Sequence, residues 1–170
     1  MNRKFTQAFS LIELLSVMVI ILILAGLFVG VSGPASRSAK KRKAEVMVSA
    51  LEVAIGMYKA DTGSNPPTGT GSPDPGSQTL YDHLTNEDAY AQGGTSPISG
   101  WSGPYMKFRN EDISGGEILD PWGRPYNYSF GAWTNNPYPS SFDLWSDGPD
   151  KINGWGNPAD PNGKDDIKNW

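Results

Sequence analysis

The sequence predicts an α+β fold, with one long N-terminal helix, a loop-rich middle and a small antiparallel sheet. Three observations predict it. Residues 9–31 form an almost unbroken apolar run. Residues 35–62 continue with helical periodicity after a basic start. Beyond residue 62 the composition shifts to Gly, Pro, Asn, Asp, Ser and Trp, with aromatic strand candidates set among turn residues. A chain of 170 residues fits one modest domain. Charged residues make up 19% and the net charge is -4, which tells against a nucleic-acid partner. The absence of cysteine excludes disulfides and zinc thiolate sites but leaves the compartment open. The single histidine, His83, lies in a polar stretch beside Asp82 and reads as a surface residue, so a Ser-His-Asp triad finds no obvious base.

The apolar run matches a membrane-spanning helix, which needs about 20 apolar residues. A cleaved secretory signal fits less well. Its apolar core is typically about 7–15 residues, and no small-residue cleavage site follows closely here. The one charge in the run is Glu13. A carboxylate in hydrocarbon costs several kcal/mol unless it is paired. A cut before Phe9 creates a new ammonium four residues from Glu13, and a neighbouring subunit's ammonium can then neutralise the carboxylate within the membrane. The alternative is a Glu13 tolerated at headgroup level.

Phe9-Ser10-Leu11-Ile12-Glu13, preceded by a short basic leader with Arg3 and Lys4, resembles the class III signal of type IV pilins and pseudopilins. The resemblance implies cutting by prepilin peptidase between Ala8 and Phe9, methylation of the Phe9 amine, and an assembly role for Glu13. Ala8 stands where the family usually has glycine. Beyond the span lie Arg37, Lys40, Lys41, Arg42 and Lys43. A positive-inside count therefore puts the C-terminal part in the cytoplasm. The resemblance implies the reverse: a single-pass inner-membrane protein with a periplasmic head. The basic cluster then faces anionic headgroups or acidic patches of neighbouring subunits.

Gly26, Gly30, Gly33 and Pro34 predict a weak point in the long helix. From Ala35 on, Val46, Met47, Ala50, Leu51, Ala54, Ile55 and Tyr58 recur at the spacing of one helix face, expected to pack on the head. Gly63 and the Asn65-Pro66-Pro67 run that follows stop the helix. The expected organisation is a leader at 1–8, a transmembrane assembly helix at 9–33, its amphipathic continuation at 34–62 and a globular head at 63–170. Within the head, residues 69–76 and 92–104 read as loops and 78–84 as a short helix. Residues 116–130 and 141–146 read as strands, the first broken by a turn at Gly123 and Pro125.

Asp120-Pro121-Trp122-Gly123-Arg124-Pro125-Tyr126, then Phe142-Asp143-Leu144-Trp145-Ser146, then Ile167-Lys168-Asn169-Trp170 close the chain. Together they look like the C-terminal half of the major pseudopilin of type II secretion. The acidic tail carries Asp143, Asp147, Asp150, Asp160, Asp165 and Asp166 among glycines that permit wrapping. Calcium takes six to eight oxygens from such loops, although acidic surface loops are common and no EF-hand spacing is present. The resemblance implies a structural calcium, with Asp143, Asp150 and Asp166 as the first side chains and Asp147 and Asp165 as substitutes. It further implies a pilin-like fold with a C-terminal calcium-binding loop. The expected function is that of a non-enzymatic pseudopilus subunit that polymerises with itself to drive export across the outer membrane. Its expected partners are an inner-membrane assembly platform and minor pseudopilins. A type IV pilin for adhesion or motility is the first alternative. The second is a membrane-anchored carbohydrate-binding module using Trp101, Trp122, Trp133, Trp145, Trp155 and Trp170, although large aromatics more often fill a small core.

Overall fold

The computed structural model describes residues 10–29, 32–68, 77–85, 98–131, 141–154 and 160–170. The chain divides into two compact units, Met1–Ala39 and Lys40–Trp170. The first contains helix α1 (Leu11–Val29) and the start of helix α2 (Ser32–Thr62). Every aliphatic side chain of α1 from Leu11 to Leu24 is at least 48% exposed. A helix that is apolar all round belongs in a bilayer or inside a bundle. Among the described residues, no helix is long and apolar enough by itself to cross a membrane.

The expected weak point at Gly33 and Pro34 falls inside the first turn of α2. Proline is tolerated there because the first amides of a helix have no partner to lose. Gly30 lies outside the described residues. The stop after Thr62 is where α2 ends.

In the second unit the expected α2 face is buried from Leu51 to Tyr58, and differs at its start, where Ala44 and Val48 take the place expected of Val46. Ala44, Val48, Leu51, Ala54, Ile55 and Tyr58 are buried, while Val46 is 69% exposed. Val46, Val53 and Met57 form a second, outward apolar stripe. The buried face joins Leu80 and Leu84 of α3 (Gln78–Thr85), Ile118, Tyr126, Tyr128, Leu144 and Ile167 in one core.

Two small antiparallel sheets complete the unit. β1 (Ile113–Ser114) pairs with β2 (Glu117–Ile118). β3 (Asn127–Phe130), β4 (Phe142–Ser146) and β5 (Ile167–Lys168) form a sheet in the order β3-β4-β5. The expected strand over 116–130 is thus two strands around a turn. Asn169 lengthens the short β4–β5 pairing. Its side-chain oxygen accepts from the Leu144 amide at 2.9 Å, and its own amide donates to the Leu144 carbonyl at 3.1 Å.

Side chains tie the pieces together. Ser77 Oγ accepts from the Ile118 amide at 2.6 Å and fixes α3 to β2. Tyr128 donates its hydroxyl to the Pro66 carbonyl at 2.7 Å, holding the segment after α2 against the sheet. Asp112, 3% exposed, pairs with Lys43 of α2 at 2.7 Å and with Arg109 at 2.9 Å. His83, expected at the surface, is 4% exposed. Its Nδ1 lies 2.7 Å from the Thr79 carbonyl and its ring meets Tyr58 edge-on, so the imidazole is core material.

Candidate functional sites

The assembly segment begins outside the described residues, where Ala8 and Phe9 both fall. Glu13 is described, in the first turn of α1. The Ser10 amide donates to Glu13 Oε2 at 2.9 Å, and Ser16 Oγ donates to the Glu13 carbonyl at 2.9 Å. The Ser10 carbonyl accepts the Glu13 amide at 3.0 Å and starts the helix. Ser10 and Glu13 thus form one half of a capping box, in which a glutamate at the third helical position satisfies the amide of the cap residue. Its negative charge also complements the positive end of the helix. The Ser-x-x-Glu spacing signals this role in the sequence itself. Pairing with a neighbour would have to compete with this internal contact or share the second carboxylate oxygen.

The acidic loop grows out of β4. Asp143 lies within the strand, in register with Ser129 of β3, and is fully buried. Asp147, at the strand's end, is committed elsewhere: its Oδ1 accepts from Asn127 Nδ2 at 2.8 Å and its Oδ2 from Arg124 Nε at 3.4 Å. Burial pushes the Asp147 carboxyl above the usual range, with Asn127 and Arg124 pulling partly the other way. Asp150 Oδ1 accepts from the Ile152 amide at 2.8 Å, and the Asp150 amide donates to Asp165 Oδ2 at 3.2 Å. Asp160 caps a short 3-10 turn (Pro161–Gly163) by accepting from the Asn162 amide.

Two glycines let the loop close. At Gly148, with φ +72°, a Cβ would stand 2.5 Å from the Asp165 carbonyl oxygen. At Gly154 it would stand 2.3 Å from the Gly163 backbone. No larger residue permits these crossings. The donors along the loop are carboxylate and carbonyl oxygens, which suit calcium rather than a soft metal. Among the described residues, no three His, Cys, Asp or Glu side chains are gathered tightly enough to hold a metal ion. Asp150 and Asp165 are in direct contact, through the Asp150 amide.

Asp120 is a structural residue that the sequence motif contained without revealing its partners. It is 5% exposed. Its Oδ1 accepts from the amides of Trp122 and Arg124, each at 2.9 Å, and its Oδ2 accepts from Ser146 Oγ at 2.6 Å. Asp120 thereby fastens the Pro121–Pro125 turn to the root of the acidic loop. Among the described tryptophans, Trp101 and Trp122 pack against the core. Trp145 is buried with Trp170 edge-on at 6.3 Å, and Trp101 donates to the His83 carbonyl at 2.8 Å. Trp133 and Trp155 lie outside the described residues.

Known proteins resemble this chain over most or all of its sequence. A family model described as type II secretion system (T2SS), protein G matches residues 33–170. The type II secretion system core protein G of Pseudomonas aeruginosa is 32% identical over 171 aligned residues, covering 100% of this chain and 99% of that protein. The protein of the same name from Aeromonas hydrophila is 32% identical over 126 residues, 74% of each chain. A crystal structure of the major pseudopilin from the type 2 secretion system of enterohaemorrhagic Escherichia coli superposes with a TM-score of 0.49. It is 25% identical, covering 81% of this chain and 87% of that one. By the family match and the full-length identity, this chain is a member of the type II secretion system protein G family.

Proposed function

We infer that the chain works as a structural subunit of a type II secretion pseudopilus, a filament built from copies of the chain itself. The observation that carries this is the full-length match to protein G of the secretion system. The chemistry of the N-terminal segment supports it. α1 is apolar on all sides and carries one acid, Glu13. Such a helix gains little from water and much from like neighbours.

In this reading prepilin peptidase cuts between Ala8 and Phe9, and the freed Phe9 amine is methylated. Residues 9–33 hold the subunit in the inner membrane with its head in the periplasm. Glu13 of one subunit meets the Phe9 ammonium of another during assembly, on the inner-membrane platform and beside minor pseudopilins. Desolvation makes that pairing selective, because a lone carboxylate in hydrocarbon costs several kcal/mol. The head sets the outer lattice.

The same reading places one structural calcium in the loop after β4, held by Asp143, Asp150 and Asp166 with backbone carbonyls. The oxygen-only donor set supports it, and binding would have to draw Asp143, Asp150 and Asp166 together, since the described structure does not gather them. Bound calcium would supply charge neutralisation and order to a loop that buries little apolar surface.

Deleting the gene in its native host, then restoring the wild-type chain or Glu13→Gln, tests the function. The expected outcome is loss of protein secretion with twitching motility intact, and rescue by the wild-type chain only. Loss of twitching with normal secretion would contradict the reading.

A further inference from the structure

We propose that the groove between α2 and residues 106–112 binds the headgroup region of an anionic phospholipid, in the bilayer to which the chain is anchored. The proposal rests on the membrane-anchored reading above. The groove encloses about 520 Å³. Its rim carries Arg42, Lys43, Lys107 and Arg109, and its floor includes Met47, Met106 and Phe108, which pack against the core. The only acid lining it is Asp112, which is buried and holds Lys43 and Arg109 in place through its two oxygens. Even counting Glu111, which pairs with Arg109 at 2.8 Å, the rim stays positive in a chain whose net charge is -4. The positive charge is therefore local.

Cations around an apolar floor fit an amphiphile with a negative head and a hydrocarbon root. In sequence, Arg42 and Lys43 end a basic stretch with Arg37, Lys40 and Lys41 that follows the apolar run. Juxtamembrane basic residues favour anionic bilayers by about fivefold each. A positive-inside count runs against a periplasmic head, and a lipid site would give the cluster a purpose on that side. A second copy is the rival occupant. It has a groove of about 360 Å³ on another flank of α2, where Glu45 and Glu52 stand with Lys168 and Trp170. Charge pairing between the two grooves would leave the apolar floor of the first uncovered.

The test uses the full-length chain, one copy per nanodisc. One disc is made of phosphatidylcholine and the other of an equal mixture with phosphatidylglycerol. Amide exchange of residues 105–109 is the readout. The expected result is exchange at least about fivefold slower in the anionic discs. The slowing should vanish at high salt, where screening is strong, and in the Arg42→Glu/Lys107→Glu double variant. That variant keeps both ion pairs to Asp112, and its circular dichroism in neutral discs controls for folding. Equal exchange in the two discs overturns the lipid site while leaving the anchored reading intact. Slowing that needs two chains in one disc, whatever the lipid, overturns it in favour of the second copy. A chain that does not enter discs at all contradicts the anchored reading itself.

Discussion

Replacing Asp120 by alanine should unlock the turn that supports the acidic loop. Its carboxylate accepts from the amides of Trp122 and Arg124 and from the Ser146 hydroxyl. Hydrogen bonds to a charged group are worth about 1.5–3 kcal/mol each when buried. The turn amides are partly exposed and recover water, so about 1 kcal/mol each is the appropriate scale. The Ser146 hydroxyl is fully buried and does not recover it, which adds about 1–3 kcal/mol. Against this, removing the Asp120 charge relieves Asp147, whose carboxyl it disfavours. The net expectation is a loss of about 3 kcal/mol, or about 9 °C in Tm for a chain of this size. Asp120→Asn keeps one oxygen for the two amides and offers a donor to Ser146, so it should lose less than about 1.5 kcal/mol. Urea unfolding of the detergent-solubilised full chain, followed by tryptophan fluorescence, measures both. Asp120→Ala within about 1 kcal/mol of wild type, or Asp120→Asn as damaging as Asp120→Ala, would refute the reasoning.

Acid unfolding should separate two other carboxylates. Burial alone would raise the Asp112 carboxyl, but hydrogen bonds from Lys43 and Arg109 outweigh it and hold the carboxyl below the usual range. Its stabilisation is complete above the ordinary carboxylate value and lost as pH falls through the lower folded value. Asp112→Asn should lower stability at neutral pH and flatten that limb of a pH-dependent urea titration. Asp147, raised by burial, has the opposite sign: stability falls as pH rises from the ordinary value through its folded one, and Asp147→Asn should remove that slope. Gly154→Ala would force its Cβ onto the Gly163 backbone and should cost more than about 2 kcal/mol. Gly56→Ala, in helix α2 with open space around it, should instead gain about 0.5–1 kcal/mol in the same titration. If the loop holds calcium, saturating the ion at a hundred times its Kd should add about 2.7 kcal/mol over chelator, and Asp143→Asn should abolish the difference. Identical melting curves in calcium and chelator would remove the ion from the account.

Much of this architecture is legible in the sequence because its signals are local. The Gly63 and double-proline stop after α2, the short α3 and the Phe142–Ser146 strand each follow from neighbours within a few residues. The α2 face is legible from Leu51 to Tyr58 but not at its start, because α2 carries two apolar stripes. Val46, Val53 and Met57 compete with Ala44, Val48 and Leu51, and only contacts far along the chain decide which is buried. β1 and β5 span two residues each, too short for alternation to register. His83 is drawn inward by Tyr58 and Thr79, and a polar neighbour such as Asp82 conceals that. In the acidic loop the sequence shows which oxygens exist but not their prior commitments. Asp147 goes to Asn127 and Arg124, and Asp120 reaches a serine 26 positions away. Glu13 differs, since the Ser10-x-x-Glu13 spacing already signals its capping contact, while the proposed assembly role rests on the cost of a buried charge.

The proposed assembly pairs the Glu13 carboxylate of α1 with the freed Phe9 amine of a neighbour. The direct measurement is the yield of sheared filaments from cells carrying Glu13→Gln, with intact mass confirming removal of residues 1–8 from the accumulated subunit. The expected result is a processed subunit that stays in the membrane fraction and forms no filaments. Filaments at wild-type yield from a processed Glu13→Gln chain would contradict it.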